Sequence, residues 1–312
     1  YINFRLCGER AMDWTDASIS FMMDSATRDW SPSLLETLGL DRAKLPPIRS
    51  PLEVLGSVTG AAAAASGLRQ GTPVLVGGGD YPVSMIGSGV VSAGTGSDIT
   101  GTSSIITVLA TSPMLHPEVS NVATLDQLWG RFMLLDSGGD AVRWARRAFH
   151  QNQLSYDDVT RLAGEAPAGA EGLFFLPYLS GERFGEHSNS RAQFFGLTAR
   201  HGLPQMHRAV LEGVGFAVNR HLRIMERATG TRPEALIASG GGAKADLWLQ
   251  IKASIYGKTI MIPSEPECGL VGCAILASIA LGDASDLASA ASASTLQPET
   301  DKTEAHMCVH MY

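Results

Sequence analysis

The stretch TPVLVGGGD, residues 72–80, places three successive glycines directly before a carboxylate. Val74, Leu75 and Val76 form a short apolar run bounded by proline and glycine, which is typical of a buried strand. A run of glycine costs backbone entropy, so it marks a tight turn or a close approach of the backbone to another group. Asp80 is therefore predicted just past the carboxyl end of a strand, where ligands collect in open α/β sheets. Two roles fit an Asp in that place: a helix cap and a general base.

The same order of strand, glycine turn and helix recurs near the other end of the chain. In PEALIASGGGAKADLWLQIKASIYG, residues 233–257, an apolar run leads through a glycine turn into a helical pattern. Between the two copies, SAGTGSDITGTSSIITVLATSP, residues 92–113, alternates small polar and β-branched residues and predicts a β-hairpin. Together these patterns predict an α/β protein with mixed sheets.

Three further segments predict helices. LPQMHRAVLEGVGFAVNRHLRIMERATG, residues 203–230, has the longest amphipathic spacing in the chain. GLVGCAILASIALG, residues 269–282, is almost wholly apolar, which predicts a helix that is buried on all sides. YINFRLCGERAMDWTDAS, residues 1–18, is predicted as one running helix.

Composition narrows the class of protein. The 312 residues suffice for two domains, and 45% hydrophobic with 18% charged residues indicates a globular chain. The net charge is −7 with scattered Lys and Arg, so no nucleic-acid partner is predicted. No apolar run is long enough for a membrane span, and no signal pattern is present. The spacing of Cys7, Cys268, Cys273 and Cys308 fits neither a metal site nor a disulfide framework, which predicts a cytoplasmic protein.

Glycine-rich turns at residues 101–104, 137–140 and 240–243 are candidate phosphate cradles. Backbone N–H groups and the hydroxyls of Thr102 and Ser103 are suitable donors, and a helix N-terminus offers further free N–H groups. Taken alone, each turn is better explained by chain architecture than by a ligand. Neither the GxxxxGK[ST] pattern nor a GxGxxG pattern at these turns is present.

A longer stretch carries a family resemblance. AQFFGLTARHGLPQMHRAVLE, residues 192–212, has an aromatic-Gly-Leu element, a spacer and then Ala-Val-Leu-Glu. Similar text surrounds it: TDASISFMMDSATRDWSPSLLETLGL (15–40), LPYLSGER (176–183) and LVGCAILA (270–277). The chain resembles the FGGY family of carbohydrate kinases over nearly its whole length, and its xylulokinase-like members most closely.

The resemblance implies an actin-like, ribonuclease-H-like fold in which two α/β domains face each other across a cleft. Residues 1–90 would be the C-terminal part of the sugar-binding N-terminal domain. Residues 91–312 would be the nucleotide-binding C-terminal domain, truncated at its end. Both chain ends fall inside running patterns, and the Asp-x-Gly-Thr phosphate loop of the family is absent from the sequence. We therefore expect a piece of a longer protein that is an inefficient kinase alone.

The implied reaction transfers the γ-phosphoryl group of Mg-ATP to a sugar hydroxyl, with a ketopentose such as xylulose as the default substrate. The resemblance makes Asp80 the general base and implies a possible homodimer. It assigns no metal ligand, and Asp98 and Asp136 suit either Mg²⁺ or a solvated turn. The implied nucleotide and phosphate contacts are Gly101, Thr102, Gly139, Gly241, Gly242, Ala243 and Asp246.

Two departures from the family bear on activity. Tyr81 stands where the family usually has Asn or Gln and is predicted to line the sugar pocket, which leaves the sugar open. Arg143 stands where glycerol kinases carry Gln. A catalytically inactive nucleotide-binding or scaffold protein on the same fold is the alternative.

Overall fold

The computed structural model describes residues 1–183, 188–292 and 296–297. Its helices are α1 (Ile2–Cys7), α2 (Trp14–Ile19), α3 (Pro32–Leu38), α4 (Gly60–Ser66), α5 (Asp80–Gly87), α6 (Gly139–His150), α7 (Tyr156–Gly164), α8 (Leu203–Thr229), α9 (Asp246–Tyr256), α10 (Cys268–Leu281) and α11 (Leu287–Ser292). Its strands are β1 (Met12–Asp13), β2 (Ile48–Arg49), β3 (Val54–Ser57), β4 (Pro73–Leu75), β5 (Gly96–Thr100), β6 (Ser104–Ala110), β7 (Ser120–Ala123), β8 (Trp129–Leu135), β9 (Phe174–Leu176), β10 (Gln193–Phe195), β11 (Ala235–Ser239), β12 (Thr259–Pro263) and β13 (Leu296–Gln297).

A seven-stranded mixed sheet carries the larger part of the molecule. Its strand order is β13-β12-β11-β5-β6-β8-β7. Strands β5, β6, β8 and β7 pair antiparallel in succession, as do β12 and β13, whereas β5 pairs with β11 and β11 with β12 in parallel. Parallel neighbours need long crossovers, and α9 supplies the one between β11 and β12. The α/β prediction with mixed sheets is confirmed.

Helix α8 forms the centre of the main hydrophobic core. Val214, Val218 and Leu222 on this helix are buried in one cluster with sheet residues such as Met133 and Leu236. Each such side chain stabilises the fold by roughly 1.5–3 kcal/mol when fully buried. The amphipathic spacing that predicted this helix therefore marks the face that meets the sheet.

The first part of the chain contributes two small sheets and the helix that starts at Asp80. Strands β1 and β2 pair in parallel, and β3 and β4 pair antiparallel. Helix α2 lies against β7, where the N–H of Ala123 donates to Ser18 Oγ at 2.9 Å. The predicted domain boundary at residue 90 falls between α5 and β5 and stays a prediction.

Helices α5 and α10 cross with their backbones in direct contact. A Cβ atom on Gly87 would lie 1.8 Å from the carbonyl oxygen of Cys268. On the other helix, a Cβ atom on Gly272 would lie 2.1 Å from the carbonyl oxygen of Val83. Any side chain at either glycine would force the helices apart, so the crossing requires glycine at both positions.

Two helix predictions were wrong. Residues 1–18 do not form one helix, because Gly8 ends α1 with a φ of +82° and β1 intervenes before α2. Helix α10 is not buried on all sides: Leu270 is 71% and Leu281 is 56% exposed. Its buried face is restricted to one side because α5 and α11 cover only that side.

Within the described residues, no helix combines the length and apolar character that a bilayer crossing requires. Cys7, Cys268 and Cys273 are free thiols, and Cys308 lies outside the described residues.

Candidate active site

The hairpin turn between β5 and β6 is held by the start of α6. Within the turn, the N–H of Gly101 donates to the carbonyl of Ser103 at 2.9 Å. The N–H of Gly139 donates to the carbonyl of Gly101 at 3.0 Å, and that of Asp140 donates to the carbonyl of Thr102 at 2.9 Å. A Cβ atom on Gly139 would lie 2.2 Å from the Gly101 oxygen, so this approach requires glycine.

The turn after β11 meets the same place from the other side. Gly240 has a φ of +82°, and a Cβ atom there would lie 2.7 Å from the carbonyl oxygen of Thr100. A Cβ atom on Gly242 would lie 2.7 Å from Cγ2 of Thr100. All three glycine turns singled out in the sequence therefore converge at the end of β5.

A cavity of about 540 Å³ opens between these turns. This volume is in the usual range for a small-molecule site. Glycine backbone lines it together with the apolar side chains of Val142, Leu211 and Trp248. Five of the predicted nucleotide or phosphate contacts line it: Gly101, Thr102, Gly139, Gly241 and Gly242.

The other two predicted nucleotide contacts lie elsewhere. Ala243 and Asp246 line an adjoining cavity of about 580 Å³, which shares Gly241 and Lys244 with the first. The structure thus separates the predicted set into two neighbouring cavities.

The lining of the first cavity also contains residues that the sequence did not single out. Trp248 is buried, and its Nε1–H donates to the carbonyl of Leu211 at 3.2 Å, which fixes the indole plane. Tyr156 and Thr160, on α7, line the same cavity. In the sequence these residues lie in ordinary helical patterns, and no motif indicates that they line a cavity.

Arg143 also lines this cavity, one turn into α6. Its guanidinium donates to the Asp140 carboxylate through Nε at 2.7 Å. The residue that departs from the glycerol kinase pattern is therefore at the cavity wall.

Asp80 is the first residue of α5 and is exposed. The N-cap position belongs to Gly79, which has no side chain to cap with. The Asp80 carboxylate accepts only the adjacent Tyr81 N–H, at 2.6 Å, among the hydrogen bonds of the described residues. An N-cap accepts from the second or third helical N–H instead, so the cap explanation fits Asp80 poorly.

A second carboxylate, that of Asp16 on α2, lies near Asp80. Asp13 caps α2 by accepting the N–H groups of Thr15 at 2.8 Å and Asp16 at 3.0 Å. The Thr15 hydroxyl in turn accepts the Gly79 N–H at 2.9 Å, which ties α2 to the glycine run. Burial, then the charges of Asp13 and Asp80, raise the pKa of Asp16. Asp16 was not singled out in the sequence, although it lies in the segment 15–40 that resembles the family.

Tyr81 differs from its predicted role. Its ring packs edge-on against Phe132 with the ring centroids 6.0 Å apart, and its hydroxyl is hydrogen-bonded to Thr107. Burial raises the pKa of Tyr81. The Tyr81 side chain packs in the core and its hydroxyl already has a partner, so it offers no free polar group for the predicted contact with the sugar.

The two acidic residues considered for Mg²⁺ are also used within the protein. Asp98 is fully buried rather than solvated, and Asp136 pairs with Arg183 at 2.6 Å. Across the part of the chain that the structure describes, no group of three or more His, Cys, Asp or Glu side chains could hold a metal ion.

Comparison with known families agrees with this geometry. The model described as the FGGY family of carbohydrate kinases, C-terminal domain, matches residues 91–281. The N-terminal domain of the same family matches residues 1–87. The chain belongs to the FGGY family of carbohydrate kinases. The predicted family membership and xylulokinase-like character are confirmed.

Curated FGGY relatives include sugar kinases of different specificity. A xylulose kinase of Escherichia coli (strain K12) is 34% identical over 286 residues, covering 90% of this chain and 58% of the relative. An autoinducer-2 kinase of Enterobacter sp. (strain 638) is 32% identical over 301 residues, covering 91% of this chain and 56% of the relative. The chain thus spans a little over half the length of these relatives.

Solved FGGY structures share the fold. Ligand-bound xylulose kinase from Lactobacillus acidophilus superposes with a TM-score of 0.87 at 29% identity, covering 95% of this chain and 61% of that chain. A gluconate kinase from the same organism has a TM-score of 0.88 at 29% identity, with the same coverage. The predicted actin-like, ribonuclease-H-like fold is confirmed.

Proposed function

We propose that this chain is the catalytic and nucleotide-binding part of an FGGY kinase that transfers the γ-phosphoryl group of ATP to a sugar hydroxyl. One observation carries the proposal. The three glycine turns converge on a cavity of nucleotide size, and Asp80 is exposed at the start of the helix that packs beside the same sheet.

The cavity has two chemically distinct kinds of lining. Val142, Leu211 and Trp248 offer apolar surface that suits an adenine ring. Gly101 and Gly139 offer backbone without side chains, so phosphate oxygens can approach the turn closely, and Thr102, whose hydroxyl can donate to them, lines the same cavity. Phosphoryl transfer proceeds mainly by positioning and charge stabilisation, so these two kinds of lining supply most of what nucleotide binding needs.

Asp80 is the proposed general base for the sugar hydroxyl. Tyr81, the next residue, contacts Thr107 on β6, three residues from the β6 end that carries the phosphate turn. Three strand residues span about 10 Å, so the Tyr81 hydroxyl lies about that far along β6 from the phosphate turn, and Asp80 is the residue before Tyr81. A sugar between them would present its hydroxyl to Asp80 and to the terminal phosphate together.

Mg²⁺ would enter with the ATP phosphates, where it neutralises charge that develops during transfer. The oxygen donor that fits it is the carboxylate of Asp16, because Mg²⁺ in kinases commonly takes one or two carboxylates and otherwise phosphate and water. The free thiols of Cys7, Cys268 and Cys273 support a reducing, cytoplasmic setting.

A ketopentose such as xylulose is the substrate we infer. The E. coli and L. acidophilus proteins named xylulose kinase support it. The autoinducer-2 kinase and gluconate kinase likenesses make those two compounds the rivals to be tested.

The test is ATP turnover by the full-length parent protein against a panel of ketoses, polyols, gluconate and autoinducer-2. ADP release driven by xylulose alone is expected. ADP release driven only by another compound of the panel would identify that compound as the substrate and would still support kinase activity. Tight ATP binding without turnover on any compound would contradict the kinase and support a catalytically inactive nucleotide-binding protein.

A further inference from the structure

A buried ion pair lies directly beneath the convergence of the glycine turns. Lys252 on α9 and Asp98 on β5 have side chains that are 1% and 0% exposed. Lys252 Nζ lies 2.9 Å from Asp98 Oδ2. The proposed phosphoryl transfer uses neither charge, so the pair needs another explanation.

The pair acts on Thr100, the last residue of β5. Lys252 Nζ donates to the Thr100 hydroxyl at 2.7 Å, and that hydroxyl donates to Asp98 Oδ1 at 3.0 Å. The hydroxyl also lies 3.0 Å from Ser104 Oγ, which can donate to its remaining lone pair. One donated and two accepted bonds use the full hydrogen-bonding capacity of the hydroxyl, so its rotamer is fixed.

Thr100 in turn sets the distance between two nucleotide turns. Its carbonyl is the atom that a Cβ on Gly240 would strike, and its Cγ2 is the atom that a Cβ on Gly242 would strike. The next residue, Gly101, begins the phosphate turn. A rotation of Thr100 would therefore move the turn after β11 and the turn after β5 relative to each other.

Lys252 also contacts an aromatic residue of the cavity wall. Its Nζ lies 4.8 Å from the centroid of the Trp248 ring, in the range of a cation–π contact. Trp248 is part of the apolar lining of the cavity. One buried ammonium thus contacts both the residue behind the phosphate turn and the indole that is proposed to contact adenine.

Stability alone does not account for this pair. Replacing a buried ion pair by apolar residues of similar volume is often neutral or stabilising, because burying two charges carries a large desolvation penalty. We propose that Asp98 and Lys252 are positioning residues, which hold Thr100 and Trp248 in the geometry that nucleotide binding requires. The inference rests on the proposed nucleotide site and adds to it two residues that touch no substrate.

The experiment measures ADP and adenosine affinity by titration calorimetry on this chain, together with its melting temperature. The main variant is Asp98→Leu with Lys252→Met, which removes both charges and keeps apolar volume. We expect a folded chain that melts somewhat lower, because the Tyr256 hydroxyl loses its acceptor Asp98, and ADP affinity about tenfold weaker. Unchanged ADP affinity in this folded variant would overturn the inference.

Tyr256→Phe is the matched control. The Tyr256 hydroxyl donates to Asp98 Oδ2 at 2.9 Å and is not among the groups that line the nucleotide cavity. This variant is expected to melt lower, because it removes a bond of the same buried network, while its ADP affinity stays within twofold. An ADP loss equal to that of the double variant would show a general structural effect and would contradict positioning.

Thr100→Val covers the case in which the double variant does not fold. It removes only the hydroxyl and leaves the ion pair and the Trp248 contact. We expect weaker ADP binding with adenosine binding retained, since the phosphate turn shifts and the indole does not. Equal ADP affinity in Thr100→Val and in the unaltered chain would overturn the inference. Absence of ADP binding by the unaltered chain would instead remove the proposed nucleotide site, and this inference with it.

Discussion

The carboxylate of Asp16 lies directly against the backbone of Gly79: a Cβ atom on Gly79 would be 2.5 Å from Asp16 Oδ1. The glycine run before Asp80 is explained by this contact and two others. Gly77 has a φ of +79°, which disfavours side chains, and a Cβ atom on Gly78 would lie 3.0 Å from Leu125. Each glycine of the run is therefore needed for a different local reason, and only Gly79 is needed because of a carboxylate, that of Asp16.

Asp16→Asn is predicted to raise the melting temperature at pH 7 by roughly 1–3 °C. The folded state raises the pKa of Asp16 above its ordinary 3.8, so the charged form is disfavoured in the fold at neutral pH. The gain should shrink as the pH falls through the raised pKa and disappear below 3.8, where Asp16 is protonated in both the folded and the unfolded state. Thermal melts at pH 7 and pH 3.5 measure this, with Glu36→Gln on exposed α3 as the control. A gain of equal size at both pH values would contradict the assignment.

Asp80→Asn is predicted to lower the kcat of the full-length kinase by about 10²–10⁴-fold while ADP affinity stays unchanged. The reason is that the proposed base acts on the sugar hydroxyl and lies outside the nucleotide cavity. Steady-state kinetics and ADP titration separate the two effects. Asp29→Asn, an exposed carboxylate paired with Arg42, is the matched control and should retain activity. Retained turnover in Asp80→Asn would exclude Asp80 as the base.

Gly101→Ala and Gly139→Ala are predicted to differ sharply in stability. A Cβ atom on Gly101 meets nothing within 4 Å, whereas one on Gly139 would lie 2.2 Å from the Gly101 oxygen. Gly101→Ala should fold normally and bind ADP more weakly, since its methyl group projects into the cavity. Gly139→Ala should lose about 1–3 kcal/mol of unfolding free energy as well. Urea unfolding combined with ADP titration distinguishes them. Normal ADP affinity in Gly101→Ala would argue that phosphate does not approach this turn.

His207→Gln is predicted to protect the chain against mild acid. His207 is buried, stacks on His150 with ring centroids 5.0 Å apart, and their Nε2 atoms are 2.8 Å apart. Burial and then His150 lower the pKa of His207 from 6.5 to about 4. Neutral His207 therefore stabilises the fold fully above pH 6.5, and this stability is lost as the pH falls towards 4.

Urea unfolding at pH 7 and pH 5 checks the His207 prediction. The unaltered chain should lose about 1–2 kcal/mol more than His207→Gln between these pH values. His150→Gln should give an intermediate loss, because it removes the second cause of the shift and leaves the first. An identical pH dependence in all three proteins would mean that His207 titrates normally.

The sequence predicted the larger features because their patterns are local. The strand before Asp80, the hairpin around Gly101 and the long helix at 203–229 follow from apolar spacing and glycine placement. Helix α10 was predicted wrongly because an apolar sequence does not show how many neighbours a helix has. Leu270 is as apolar as Ile275, yet only Ile275 faces α5 and α11.

The site was predictable only where chemistry and backbone geometry coincide. Glycine turns are visible in a sequence, so five cavity residues could be named in advance. Asp98 and Lys252 are separated by 154 positions, and no spacing rule pairs them. Tyr81 was predicted to contact the sugar because it follows Asp80. Consecutive residues of a helix point in different directions, however, and the Tyr81 side chain enters the core.

The crossing of α5 and α10 has a consequence for how specificity can diverge. Because Gly87 and Gly272 bring main chain against main chain, the register of the two helices does not depend on the size of any side chain at the contact. Asp80 stands at the end of one of these helices. Residues around a sugar can therefore be exchanged for larger or smaller ones while the carboxylate keeps its place, which lets a single reaction centre serve substrates of different shape.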